Sequence, residues 1–438
     1  MSTAVGPQLR ADADALAAQI AEFAAMTEPD SGPGVTRLAY TPLERAAHEH
    51  FAEHMRALGL RVWTDAAGNT NAERAGTDPS LPAIATGSHL DSVPQAGRYD
   101  GIAGVVAAME IARLLHDQAI EHRHPLRFVV FAAEEGARFG QACTGSRIAG
   151  GLTTAADLNG KRDGNGVSIA EAMRSVGLDP TAVEAARWRP QDWRAFVELH
   201  IEQGSVLDTS CVPIGVVDQI SGSTRFALRF QGRASHTGGT PMHLRADALA
   251  AAAQVVSAAE ALAKDSRHHG TRITVGRLDV SPGSITTIPG ECHAYVDVRD
   301  TDSDRQRETA AELVDIAHEI GRARGVAVSA RPMADASPVV LPSWVRNAIV
   351  HACHERGLDY RVMPSGASHD TQMISGVVPA GMVFVPSLNH GVSHSPQELT
   401  EAADLAVGVD VLVTALLALD GMEHESPGEL GETRCMTC

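Results

Sequence analysis

The sequence predicts an α/β protein: a large domain with a mixed, mainly parallel sheet between helices, plus a smaller inserted domain of different pattern. Three observations carry this expectation. Apolar runs of strand composition stop repeatedly at His, Asp or Glu, and a segment of helical period separates the first two runs. The middle of the chain then switches to strands of alternating polarity set between two long helices. At 438 residues the chain exceeds a single ordinary core, so two domains are expected.

Taken in order, Ala83-Ile84-Ala85-Thr86 reads as a buried strand leading into His89. Ile102 to Leu115 has the length and periodicity of a helix. Leu126 to Ala133 is a second strand and opens directly into Glu134-Glu135. Ala195 to Leu199 leads into His200, and Gly381 to Val385 precedes the loop to His394. Strands alternating with helices imply parallel pairing, helices on both faces, and a site at the carboxyl ends of the strands.

The segment 217–333 differs. Thr224 to Phe230 alternates like a half-exposed strand, His243 to Ala263 is an Ala-rich helix, and Arg272 to Leu278 and Glu291 to Arg299 are strands. Ser303 to Ala323 forms a second helix, and Arg324 to Arg331 closes the set as a last strand. This β-α-β-β-α-β order is ferredoxin-like, a small open sheet with two helices on one face. The expected division is therefore 1–216 and 334–420 for the large domain, 217–333 for the insert, and 421–438 for a flexible Gly/Glu/Pro tail.

Composition is that of a globular protein, 44% hydrophobic and 21% charged, with a formal charge of −18. Such a charge repels phosphate backbones and anionic membranes, so neither nucleic acid nor membrane is an expected partner. No run of about 18 apolar residues is uninterrupted, which argues against a spanning helix. Met1 to Ile20 carries Arg10, Asp12 and Asp14 and lacks a signal-peptide layout, so a cytoplasmic location is expected. Cys143, Cys211, Cys292 and Cys353 are far apart and read as buried or partly buried thiols. Cys435-Met-Thr-Cys438 has CxxC spacing but ends the tail with no strand before it, so a frayed terminus is the better reading.

The strand-end residues carry the chemistry. His89, His200 and His394, with carboxylates at Asp100 and Glu135, form a mixed N/O set suited to zinc, manganese, cobalt or nickel rather than calcium or magnesium. In isolation each residue is more often a cap or a satisfied polar group; recurrence at strand ends changes that reading. Asp91, two residues after His89, can accept the imidazole's other N–H. Asp100 precedes Gly101 and is the natural bridge between two metals, because a carboxylate has two oxygens and Gly permits a strained backbone. Glu134, spare beside Glu135, is placed to handle protons as a general base.

Longer motifs make the chain recognisable: Glu198-Leu-His-Ile-Glu-Gln-Gly204, Ser235-His-Thr-Gly-Gly-Thr-Pro-Met242 with its continuation to Leu249, and Val383-Phe-Val-Pro-Ser387 followed by Gly391-Val-Ser-His-Ser-Pro-Gln-Glu398. From Arg37 to Leu417 the chain resembles the hydantoinase/carbamoylase family of zinc-dependent amidohydrolases, relatives of aminoacylases and co-catalytic metallopeptidases. The resemblance implies two divalent metals per subunit, zinc first. His89, Asp100 and His200 would hold one, and Asp100, Glu135 and His394 the other. Glu134 would take a proton from the attacking water and return it to the leaving nitrogen.

The same resemblance gives the insert a role as lid and homodimer contact. His236 matches a histidine that polarises the scissile carbonyl, commonly from the partner subunit; the plainer reading is a turn-capping loop histidine. Arg299 matches an arginine that holds a substrate carboxylate, against the plainer reading of a strand-end surface Arg. Gln203, Ser368 and His369 match substrate-contacting positions, with a structural hydrogen bond as the alternative for His369. Thr286 stands where relatives often have Asn, Ser368 where they often have Gly, and Asn389-His390 enlarges the loop before His394. These departures bear on substrate choice and leave the metal set intact.

The implied activity is hydrolysis of a linear C–N amide, an N-carbamoyl or ureido group on a small carboxylate, releasing ammonia and carbon dioxide. Candidate substrates are an N-carbamoyl amino acid, N-carbamoyl-β-alanine or allantoate. An N-acyl-amino acid hydrolase or small-peptide metallopeptidase on the same scaffold is the second reading. A non-catalytic metal binder is the third, and retention of Glu134 opposes it because a binder needs no proton shuttle.

Overall fold

The computed structural model describes residues 9–422; the Cys435/Cys438 pair and nearly all of the expected tail lie outside them. Among the described residues the chain forms two units. The first comprises everything up to Val217, Leu341–Val362, and everything from His369 onward. The second comprises Asp218–Val340 and the short return Met363–Ser368, a segment that a division at 217 and 333 does not foresee.

The first unit opens with α1 (Ala13–Ala25) and α2 (Pro42–Ala57). Asp12 caps α1 by accepting from Asp14 and Ala15 N–H, and Thr41 caps α2, which has Pro in its first turn. There follow β1 (Arg61–Thr64), β2 (Thr70–Arg74), β3 (Ala83–His89), α3 (Ile102–Asp117) and β4 (Leu126–Phe131). Next come α4 (Thr144–Ala149), α5 (Ile169–Ser175), β5 (Trp193–Ile201), α6 (Val206–Ser210) and β6 (Ile214–Ile220).

The second unit contains β7 (Gly222–Gln231), β8 (Ser235–His236), α7 (Ala248–Ala263), β9 (Arg272–Ser281) and β10 (Thr287–Ile288). It continues with β11 (Glu291–Asp300), α8 (Ser303–Arg324), β12 (Ala327–Ala336) and β13 (Val339–Val340). The chain returns through α9 (Ser343–Glu355), β14 (Tyr360–Ser365), α10 (Asp370–Ile374), β15 (Ala380–Val385) and α11 (Ala402–Gly421).

The first unit's sheet runs β1-β2-β4-β3-β5-β15, with β6 beside β15. Its centre is parallel: β3 with β4 and β5, and β15 with β5, while β2–β4 and β15–β6 are antiparallel. Because β3, β4, β5 and β15 point the same way, their carboxyl ends gather the loops that carry His89, Glu134-Glu135, His200 and His394. Helices α1, α3, α9 and α11 share one apolar core with these strands. By length and composition α11 alone among the described helices is apolar enough to cross a membrane. Its Leu405, Val409, Leu412, Leu416 and Leu419 are instead buried in that core, each contributing about 1.5–3 kcal/mol relative to exposure.

The second unit is a four-stranded antiparallel sheet of order β12-β7-β11-β9. Cys292, Ala294, Val296 and Val298 of β11 face a core shared with α7 and α8, which puts both helices on one side. The expected β-α-β-β-α-β pattern is present, with a small β8/β10 ladder beside it. Cys143, Cys292 and Cys353 are buried free thiols, but Cys211 is exposed. It ends the short α6 at φ 52°, a turn position that faces solvent instead of the core expected for it.

Candidate active site

The metal-type residues converge within the first unit. His89, Asp100 and His200 present ligand atoms within 4.8 Å of one another, and so do Asp100, Glu135 and His394. Asp100 belongs to both groups. Its Oδ1 lies 3.2 Å from His200 Nε2 and 3.7 Å from His89 Nε2, while Oδ2 lies 3.2 Å from His394 Nε2. His394 is the accessible member, with 50% of its side chain exposed, whereas Asp100 is nearly enclosed. The arrangement has one buried side closed by β3 and β5 and one open side.

Local sequence explains the placement. Gly101 takes φ 67°, and a β-carbon there would stand 2.4 Å from the His89 ring; only Gly lets the chain turn past the imidazole to start α3. Ala133, Gln203 and His394 also have positive φ, at 56°, 55° and 55°. Non-Gly residues in that region are strained and cluster at functional sites.

The two buried imidazoles are oriented by main chain. His89 Nδ1 lies 3.2 Å from the carbonyl of Asp91, and His200 Nδ1 lies 2.9 Å from that of Ile201. A proton on each Nδ1 leaves each Nε2 lone pair aimed at Asp100, the tautomer a metal ligand needs. The expected contact between the Asp91 carboxylate and His89 is longer, 3.6 Å. That carboxylate instead accepts the N–H groups of Glu134 (2.8 Å) and Glu135 (3.0 Å).

This contact is part of a cradle. Four consecutive N–H groups each meet a buried side-chain oxygen: Ala132 to Asn69, Ala133 to Glu44, and Glu134 and Glu135 to Asp91. Each such bond is worth about 0.5–1.5 kcal/mol, and more where the acceptor is ionised, which together hold the Ala133 turn. Glu44, in Thr41-Pro-Leu-Glu44, reads in sequence as a helix-start signal and gives no hint of this role. Glu398, four residues after His394, accepts Tyr99 and Asp100 N–H and the Ser393 hydroxyl.

Electrostatics fit a cation at the centre. Burial and the neighbouring Asp100 push Glu135 up to about 8, and its buried Oε1 has no hydrogen-bond partner among the described residues. Burial, with the charges of Asp370 and Glu135, holds Glu134 well above the carboxylate range against the pull of His89. Burial works against charge on His89, but Glu134, Asp100 and Asp91 outweigh it and raise it well above its usual value. For Asp100 burial is overcome by His200, His394 and His89, and the carboxyl stays well below its usual range. The bond to Asp100 raises His394 to about 9. A metal-free site therefore holds protons that a bound cation would expel. An orphaned carboxylate oxygen, three convergent carboxylates and imidazoles oriented by main-chain carbonyls suit two divalent ions.

Other expected site residues fall in both units. Gln203 Nε2 donates to Asp100 Oδ2 at 2.7 Å and to Ser393 Oγ at 3.2 Å. His369 is buried in the first unit, edge-on to His200 with ring centroids 4.6 Å apart. Glu198 adjoins both rings, but Ser88 and Thr371 already satisfy it. His236, Thr286, Arg299 and Ser368 belong to the second unit. There His236 is exposed and its Nδ1 accepts Gly238 and Gly239 N–H, each at 3.1 Å. The Thr286 carbonyl accepts from Thr237, and Arg299 pairs with Asp297 and donates to the Gly366 carbonyl.

A model of peptidase family M20/M25/M40 matches residues 85–418. The chain belongs to this family. It is 40% identical to an N-carbamoyl-L-amino-acid amidohydrolase of Paenarthrobacter aurescens, over 94% of this chain and 99% of the relative. It is 33% identical to the allantoate amidohydrolase of Escherichia coli K12, over 89% and 94%. A hydantoinase/carbamoylase family amidase of Burkholderia vietnamiensis superposes with a TM-score of 0.87 at 32% identity, over 95% and 99%. Within M20/M25/M40 the chain is thus a member of the hydantoinase/carbamoylase group, and its enzyme class is amidohydrolase.

Proposed function

We propose that this amidohydrolase cleaves an N-carbamoyl or ureido C–N bond on a small carboxylate, releasing ammonia and carbon dioxide. The observation that carries the reading is the pair of ligand groups sharing Asp100 beside the spare carboxylate Glu134. His89, Asp100 and His200 would hold one ion, and Asp100, Glu135 and His394 the other, with zinc first and manganese, cobalt or nickel as alternatives. Two such ions, when bound, supply Lewis acidity to the scissile carbonyl and to the attacking water.

The protein's own groups do the rest. The Cys143 thiol donates to Glu134 Oε1 at 3.0 Å, which leaves Oε2, 3.8 Å from His89, as the oxygen that takes a proton and returns it to the leaving nitrogen. His236 Nδ1 caps its own turn, so the neutral ring carries its proton on Nε2, free to donate to a substrate carbonyl. Arg299 would hold the substrate carboxylate, with Gln203 Oε1, Thr286, Ser368 and His369 as further contacts. The second unit would form a homodimer through which His236 serves the partner's site; a monomer in sedimentation at assay concentration removes that part.

The test is a panel of ureido acids, acyl-amino acids and dipeptides with metal-replete enzyme. Stoichiometric ammonia from at least one ureido acid, at kcat/KM well above any acyl or peptide substrate, is expected. Preference for an acyl or peptide bond would assign the scaffold's other chemistry.

A further inference from the structure

On the open face of the second unit's sheet, arginines are matched to acids except Arg331 of β12, opposite Ala227, and Arg272 of β9. The β11 residues Glu291, Asp297 and Arg299 lie on the face away from α7 and α8, because the intervening residues are the buried ones. Arg229 pairs with Glu291 at 3.0 Å, Arg277 with Asp279 at 2.8 Å, and Arg225 and Arg299 share Asp297 at 3.3 and 3.1 Å. Arg272 of β9 stands directly opposite Arg299 of β11 and has no ion pair among the described residues.

Like charges opposed across a ladder cost stability unless something answers them. Around Arg299, three guanidiniums face one carboxylate, so two positive charges are left over. Arg299 and Arg272 converge on one loop. Arg299 Nη1 donates to the Gly366 carbonyl at 3.1 Å, and a β-carbon added at Gly366 would stand 3.0 Å from Arg272 Nη1. A single substrate carboxylate on Arg299 answers only one of the two charges.

We propose that Arg272 is a specificity residue, and that the substrate is a ureido acid with a second anionic group, which Arg272 takes while Arg299 holds the first. The inference rests on the reading of Arg299 as the carboxylate-binding arginine.

N-carbamoyl-L-aspartate and N-carbamoyl-L-asparagine have nearly the same shape and differ by one charge. The wild-type enzyme should favour the aspartyl compound by about tenfold or more, the scale of a hydrogen bond to a charged group. Arg272→Gln should erase that preference and leave the asparaginyl rate within about threefold, whereas Arg299→Ala should lower both. The same comparison is made by calorimetric binding of both compounds to a Glu134→Gln enzyme, with and without Arg272→Gln, which needs no turnover. Binding discrimination that depends on Arg272, without ammonia release in the wild type, would retain this inference and remove the proposed reaction. A preference that survives Arg272→Gln, equal loss on both compounds, or a wild-type preference for asparagine would overturn the role of Arg272.

Discussion

Glu134→Gln should leave the metal content of the enzyme unchanged and lower turnover by about a hundredfold or more, the usual share of general acid–base catalysis. Gln keeps the shape of the side chain and the acceptor for the Cys143 thiol. Its backbone N–H still meets Asp91, so Glu135, the proposed ligand beside it, stays in place. What is lost is the capacity to take a proton, which burial and the nearby Asp370 favour in the native side chain. KM should change little, since no substrate-binding group is removed. The measurement is steady-state ammonia release beside metal analysis of the same sample. Near-normal turnover at full metal occupancy would remove Glu134 from the mechanism.

Asp100→Ala should be more severe, because one side chain serves both ligand groups. Its two oxygens face three imidazoles and also receive Gln203 and Ser393. Without them, neither remaining set has a carboxylate shared between the ions. The several kcal/mol that metals typically supply correspond to about a thousandfold in rate for each 4 kcal/mol lost. Metal analysis after dialysis should find fewer than two tightly held ions, with activity near background. Retention of both ions at wild-type affinity would show that Asp100 does not bridge.

Much of this site is legible in the sequence because the fold delivers it by a simple rule. His89, Glu134-Glu135 and His200 each sit where an apolar strand ends, and parallel strands bring such ends together. Asp100-Gly101 is legible because Gly marks the turn, and the structure gives the steric reason in the His89 ring. The insert is legible from its change of period. What stays hidden is the support around the ligands. Glu44 and Asn69 reach Ala133 and Ala132 from far along the chain, and no local periodicity encodes such a contact. Asp91 was visible as a partner, but its carboxylate serves the backbone of Glu134 and Glu135 while its carbonyl serves His89. Cys143 reads as an ordinary buried thiol until Glu134 is seen against it. The return of Met363–Ser368 to the second unit is equally silent, since it is the end of β14 and the turn after it, whose placement depends on tertiary contacts with Ser221 and Arg299.

In the proposed two-metal centre the ions share Asp100 and are both required. Its most direct test is a calorimetric titration of the metal-free enzyme with zinc, with ammonia release from a ureido acid read at each addition. Two ions should be taken up per chain, with protons released as Glu135 and His394 give up those they hold at neutral pH. Activity should reach its maximum only as the second ion binds. Saturation of binding and activity by a single ion, or full activity in the metal-free protein, would contradict it.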